Sequence, residues 1–378
     1  MNYYYNPVRT IQGSGCVENL PDVLKKLKLE RKKVLLITWN EEIIPKEVTL
    51  KLLESDYGFE VKTLLFSASN PTVEQLFEIF QETKEYGPEV VVAVGGGSIM
   101  DVGKSLCCLY GKEISTVDEL RKIIVNKEFG EIKVPWVGIP TTAGTGSEVT
   151  CWATIWDPSK EAKRSVENHN NYAYAAIVDP DLAAGMPVNL AVSSALDATA
   201  HAVESYWAKG TNCVSRAIAL QAIRIIMGNI EQLIYHDPKA HDAMAKGSML
   251  AGLAFSNTKT TACHSISYPL TMHYGIPHGA AVSMLLAPVL QMNLSGLEGK
   301  EALLEALGVE SAEELREKID NILKASGQST TLKEWGVEKE SLSHLAELGI
   351  TKGRADNNPV EITVENVKMI LESIYTEN

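Results

Sequence analysis

At 378 residues the chain exceeds what one hydrophobic core usually serves, so about two domains are expected. Apolar residues make up 45% and charged residues 22%, a globular balance that excludes collagen-like, disordered and low-complexity classes. Thirty-five Lys and Arg against 48 Asp and Glu leave a formal charge of −13, a surface that repels nucleic acid and anionic membranes.

The N-terminal Tyr3, Tyr4 and Tyr5 read equally as an interface strand or as packing. With no basic stretch leading into an apolar one there, no signal peptide is expected, and the predicted location is the cytoplasm. Short β-branched and apolar runs at 33–38 and 89–94 predict buried strands of a parallel sheet, with helical spacing at 46–55 and 73–86 between them. Further strands are expected at 134–139 and 175–178, after which strand signals stop. Alternating strand and helix gives an α/β fold. From about residue 188 helical periodicity recurs at 190–207, 213–235, 238–255, 279–294 and 361–376, so the second half is expected to be all helical. The Glu-, Lys- and Leu-rich stretch 299–350 reads as solvated surface helices. No apolar run approaches the roughly 18 residues that cross a bilayer. The predicted domains are 1–185, α/β, and 186–378, all helical. Six cysteines without a C-x-x-C pair read as reduced, mostly buried thiols.

Gly95-Gly96-Gly97-Ser98 follows the strand ending at Val94 and precedes a helical stretch with Asp101 and Lys104. Such a loop lets backbone N–H groups and a helix N-terminus meet a phosphate, although the triplet alone is equally a tight strand-to-helix turn. A second loop, Pro140 to Glu148, follows another strand and carries Thr141, Thr142, Thr145 and Ser147 with two glycines. Two such loops at successive strand ends favour a dinucleotide.

Asp197 and His201 are four apart in a stretch free of Gly and Pro, so on a helix they share a face. An isolated pair of this kind is commonly a capping Asp beside a core histidine. Farther on, His264 and His278 sit among apolar and small residues. One carboxylate and three imidazoles suit Fe(II) or Zn(II) and leave a position for a substrate oxygen. His169, His236, His241 and His344 read as surface residues, and His273 as either a proton-relay group or a rim residue.

With these residues in place the chain resembles the iron-containing (group III) alcohol dehydrogenases. The similarity runs from Asn6-Pro7 and Gly13-Ser14-Gly15 through Asn70-Pro71-Thr72, both glycine loops, Asp179-Pro180-Asp181-Leu182, Asp197 to His201, Phe255-Ser256-Asn257 and Pro277-His278-Gly279 to Asn358-Pro359. It implies a Rossmann-like N-terminal domain for NAD(P) and a helical C-terminal domain with one divalent metal in the cleft, an architecture shared with dehydroquinate synthase. Asp197, His201, His264 and His278 are then the implied ligands, with Fe(II) ahead of Zn(II). Asn70, Gly95, Gly96, Gly97, Ser98, Asp101, Thr141, Thr142, Thr145 and Ser147 are implied cofactor-binding positions. A homo-oligomer, dimer or larger, is also implied.

Three departures stand out. Trp39 stands where NAD-preferring members carry an Asp for the ribose, which leans the cofactor towards NADPH rather than NADH. Tyr268 replaces a second histidine four residues after His264, leaving Tyr268 and His273 as candidates for proton transfer. Ala195-Leu196 replaces the common Gly-Met. The form around His264 resembles the branch with phosphonoacetaldehyde reductases, so phosphonoacetaldehyde and 2-hydroxyethylphosphonate are the expected pair, with Lys163, Arg164 and Arg354 as cations for a charged substrate. The expected activity is metal-dependent interconversion of a small aldehyde and its primary alcohol. The alternatives are a synthase or lyase similar to dehydroquinate synthase, or a non-catalytic nucleotide-binding protein.

Overall fold

A computed structural model describes residues 3–160, 162–235 and 237–375. The chain divides into two compact units: an α/β unit of residues 6–142 and 147–183, and a helical unit of the described residues in 1–5, 143–146 and 184–378. They are therefore not two uninterrupted pieces, since the short segment 143–146 is counted with the helices.

The α/β unit carries strands β1 (Arg9–Gln12), β2 (Lys33–Thr38), β3 (Glu60–Leu65), β4 (Val90–Gly95), β5 (Trp136–Pro140), β6 (Trp152–Asp157), β7 (Ala162–Glu167) and β8 (Ala175–Val178). Six form one sheet in the order β1-β8-β5-β4-β2-β3, every pair parallel, while β6 and β7 make a separate antiparallel ribbon. Helices α1 (Leu20–Lys25), α2 (Lys46–Leu53), α3 (Val73–Lys84), α4 (Gly97–Leu109) and α5 (Val117–Asn126) complete it. The pleat sends Leu35, Ile37, Val91 and Ala93 into one apolar layer and Val34, Leu36, Val90 and Val92 into the other. That two-sided burial makes β2 and β4 continuous apolar runs. β1 and β3 are edge strands with mixed, partly exposed sequences, and they carry no such run.

The helical unit holds α6 (Val188–Trp207), α7 (Cys213–Met227), α8 (Pro238–Thr258), α9 (Ala262–Tyr274), α10 (His278–Asn293), α11 (Lys300–Leu307), α12 (Ala312–Ala325), α13 (Leu342–Leu348) and α14 (Val364–Ser373). Capping boxes start α7 at Asn212 and α14 at Thr363. The stretch expected to be solvated is corrected: α11, α12 and α13 bury Leu303, Leu307, Leu315, Ile319, Leu323 and Leu345 in the helical core, their charges covering only the outer faces. With its short extension to Gly296, α10 is long and apolar enough to cross a bilayer by length and composition, but 67% of that stretch is buried inside the unit.

Candidate functional site

Helix α6 is buried nearly all round, and this places Asp197, His201 and Glu204 among apolar neighbours on one face. His264 sits in the first turn of α9 and His278 is the first residue of α10. Gly279 lets α10 start hard against α6, because a Cβ there would overlap the Ser193 carbonyl. The ligating atoms of Asp197, His201 and His264 lie within 4.8 Å of one another, all three buried. His278 Nε2 is 3.8 Å from Asp197 Oδ1, with its side chain 36% exposed. The four sequence-predicted residues thus converge.

Two of the imidazoles are oriented from behind. His201 Nδ1 lies 3.3 Å from the Gly144 carbonyl, so it carries the proton and leaves Nε2 a lone pair. Burial pushes the His201 pKa down to about 4, against the pull of Asp197. His264 Nδ1 donates to Glu204 Oε2 in a very short hydrogen bond. Glu204 Oε1 accepts from Thr261 Oγ1 at 2.9 Å and from the Cys263 amide at 2.7 Å. In the neutral ring His264 Nε2 is a lone pair, 3.3 Å from Asp197 Oδ1, and neither buried atom has a hydrogen-bond partner. Two lone pairs facing each other out of water call for a cation between them. Burial raises the Asp197 pKa, but His201, His278 and His264 outweigh it and hold the carboxylate ionised. Burial likewise lowers the His264 pKa, but Glu204 and Asp197 overcome it, the same attraction felt by a proton. The donor set, one carboxylate and three nitrogens, fits Fe(II) or Zn(II).

Glu204 was not among the sequence-predicted residues. The signal was available: it lies seven residues after Asp197 and three after His201, on their face of the helix.

Tyr268 stacks on His278, ring centroids 6.0 Å apart and planes at 11°. Burial raises its hydroxyl pKa, with Arg354 opposing, so the hydroxyl stays a donor. His273 is exposed in the last turn of α9. His169 and His344 are exposed and His241 is half-buried, while His236 lies outside the described residues. All six cysteines are free, five of them buried, with Cys213 exposed.

In the α/β unit, Gly95 ends β4, Gly96 caps α4, and Gly97 and Ser98 open that helix, leaving its first N–H groups unpaired in the helix. The Thr141 amide donates to the Gly95 carbonyl at 3.1 Å, which brings Thr141 and Thr142 beside the glycine motif. The Asn70 amide donates to Ser98 Oγ at 3.1 Å, with Asn70 in the left-handed conformation that Asn tolerates. Trp39 follows β2 and is 48% exposed. Asp101 faces inward instead, accepting from Ser147 Oγ and the Thr154 amide. Its neighbour Lys104 is wholly buried and donates to Ser147 Oγ at 2.7 Å, Thr150 Oγ1 at 2.8 Å and the Trp152 carbonyl at 2.9 Å. Helix α4 thus holds the 147–154 segment in place. Replacing Lys104 with Met removes these three hydrogen bonds and is expected to cost about 2–4 kcal/mol, read as a lowered unfolding transition. An unchanged transition would contradict the clamp.

Thr145 departs from its companions, lying in the 143–146 segment counted with the helical unit. Gly146, at a positive φ of 56°, approaches Gly252 of α8 so closely that a Cβ would overlap it. The second loop's glycines serve this packing and the His201 contact. Among the candidate cations, Arg164 is paired with the buried Asp157 at 3.1 Å and Lys163 lies over the Trp156 ring at 5.3 Å. Arg354 lies beside Tyr268.

Comparison with known proteins agrees over both units. Residues 7–180 match the model of the iron-containing alcohol dehydrogenases, and residues 191–375 match the C-terminal model of the Fe-containing alcohol dehydrogenase family. The chain is 29% identical to the NADPH-dependent butanol dehydrogenase of Clostridium saccharobutylicum over 96% of its own length and 95% of that protein. It is also 29% identical to the lactaldehyde reductase of Escherichia coli, over 94% of each. The crystal structure of sulfoacetaldehyde reductase from Bifidobacterium kashiwanohense in complex with NAD+ superposes with a TM-score of 0.88 at 25% identity, covering all of both chains. A parallel six-stranded sheet, a helical unit with a buried carboxylate–imidazole cluster, and family matches over both halves place this chain in the iron-containing alcohol dehydrogenase family, as an oxidoreductase of alcohols and aldehydes.

Proposed function

We propose that the chain interconverts a small aldehyde and its primary alcohol by hydride exchange with a nicotinamide cofactor, with Asp197, His201, His264 and His278 holding one divalent ion, Fe(II) ahead of Zn(II). The observation that carries this is the facing, partnerless pair Asp197 Oδ1 and His264 Nε2. A metal held there supplies a Lewis acid for the substrate oxygen, and the nicotinamide supplies or takes the hydride. Asp197 contributes the negative charge of the ligand set. His201, neutral at pH 7, presents a lone pair without first losing a proton. Tyr268 keeps its proton and serves as hydrogen-bond donor to the substrate side of His278. His273, at the surface, enters only as an outer proton carrier.

Gly95, Gly96, Gly97 and Ser98, with Thr141, Thr142 and Asn70, form the proposed cofactor cradle, while Asp101 and Ser147 fix its shape. Thr145 is retained as a cofactor contact from the family motif. NADPH is proposed over NADH because Trp39 offers no carboxylate to repel a 2′-phosphate. A higher kcat/KM with NADPH than with NADH is the expected result, and the reverse order would contradict this role of Trp39. For substrate, phosphonoacetaldehyde and 2-hydroxyethylphosphonate are proposed. The similarity to a sulfoacetaldehyde reductase supports a short anionic aldehyde, and that to a butanol dehydrogenase an uncharged one. A cytoplasmic homo-oligomer completes the proposal. Steady-state oxidation of NADPH by Fe(II)-loaded protein over a panel of short aldehydes tests it: turnover of one or more supports it, and none with metal bound overturns it.

A further inference from the structure

Arg354 is half-buried in a chain with 13 more acids than bases, yet it forms no ion pair with any described carboxylate. By contrast Arg121, Arg164, Arg216 and Arg316 are each paired with Asp or Glu. Its guanidinium is fixed rather than loose. Nη1 donates to Thr260 Oγ1 in a short hydrogen bond, and Cζ lies 5.9 Å from the centre of the Tyr268 ring. Tyr268 in turn stacks on His278 at 6.0 Å, and His278 Nε2 is 3.8 Å from Asp197 Oδ1. Arg354, Tyr268 and His278 thus run as a connected row from a fixed, uncompensated positive charge to the carboxylate–imidazole cluster, all within the helical unit. A guanidinium has five donors, and two contacts leave a face of its planar fork for a two-oxygen acceptor.

We propose that Arg354, with the Tyr268 hydroxyl, forms an anion subsite that takes the negatively charged tail of the substrate, a phosphonate, sulfonate or carboxylate one or two carbons from the carbonyl. The proposal rests on the oxidoreductase assignment of the cluster, and deepens it by assigning substrate charge to named residues. The positive charge balances the tail, while the planar fork and the hydroxyl fix its orientation, so that the carbonyl end points along the row towards His278. Thr260 pre-sets the guanidinium, so little side-chain freedom is lost on binding. An uncharged aldehyde leaves Arg354 facing solvent and gains nothing from it.

The test compares wild type with Arg354→Gln and Arg354→Lys in two measurements on Fe(II)-loaded protein. The first is the ratio of kcat/KM for phosphonoacetaldehyde, sulfoacetaldehyde and succinic semialdehyde to that for butanal. The second is calorimetric binding of ethylphosphonate, which carries the tail and no reactive carbonyl. We expect the anionic-to-neutral ratio to fall roughly tenfold to a hundredfold in Arg354→Gln, with Arg354→Lys intermediate, and ethylphosphonate binding to weaken in parallel. The three anions separate phosphonate, sulfonate and carboxylate as the favoured tail. An unchanged ratio with unchanged ethylphosphonate binding overturns the subsite. A purely structural Arg354, supporting the Thr260 turn before α9, would lower all aldehydes together and leave the ratio fixed, and that result overturns it too. If no aldehyde turns over in wild type, the oxidoreductase assignment fails, whereas Arg354-dependent binding of ethylphosphonate would still establish the anion site.

Discussion

His264→Ala is expected to lose metal binding and turnover together. The substitution removes one of four proposed ligands and strands the Glu204 carboxylate, which is wholly buried and aimed at the missing ring. Dividing the roughly 10–16 kcal/mol of a four-ligand transition-metal site among its ligands makes the loss in affinity about a hundredfold or more. Removing Lewis-acid stabilisation worth several kcal/mol lowers kcat by about a thousandfold. Metal content after dialysis and aldehyde reduction under matched conditions check both halves. Retained metal with wild-type turnover would remove His264 from the site.

Glu204→Gln is expected to weaken metal affinity by about 10–100-fold while leaving all four proposed ligands in the chain. The carboxylate holds the Nδ1 proton of His264, so that Nε2 is the bare nitrogen, and it takes the Thr261 hydroxyl and Cys263 amide at the start of α9. Gln keeps the shape and loses the charge. Glutamine's amide group must present its oxygen either to His264 or to the α9 amides, never to both with equal strength. The diagnostic feature is recovery. Turnover of Glu204→Gln should climb towards wild type as free Fe(II) is raised, because the residue positions a ligand and does not touch substrate. Metal affinity equal to wild type, measured by competition with a chelator, would contradict this role.

The fold was legible where burial is two-sided. β2 and β4 are unbroken apolar runs because both faces of the central sheet are covered, and α6, α8 and α10 show long Ala- and Leu-rich periods for the same reason. The edge strands β1 and β3 and the ribbon β6–β7 were missed. Each has one face in water, and Lys62, Lys163 and Arg164 interrupt any apolar signal. Helix α9 was missed as a helix, since Pro269 inside it and its Ser and His residues hide the 3.6-residue period.

At the site, spacing brought Asp197 and His201 together, because both lie on one helix. His264 and His278 joined them through the family resemblance, since no local period ties α9 or α10 to α6. The roles of Gly144 and Gly146 were illegible for a related reason. A Thr- and Gly-rich loop does not show in its sequence that a glycine makes room for a helix, which only the close approach of Gly252 to Gly146 reveals. Glu204 and Arg354 differ in kind: the first is read from helical spacing once His264 is known, and the second was one of three candidate cations in the sequence, set apart from Arg164 by having no described carboxylate partner.

The most direct test of the metal-dependent assignment is an anaerobic titration of metal-free protein with Fe(II), followed at each point by NADPH oxidation with a short aldehyde. Binding that saturates at one ion per chain, with turnover rising in proportion, is the predicted result. Turnover independent of added metal, or saturation with no turnover for any aldehyde, would contradict it.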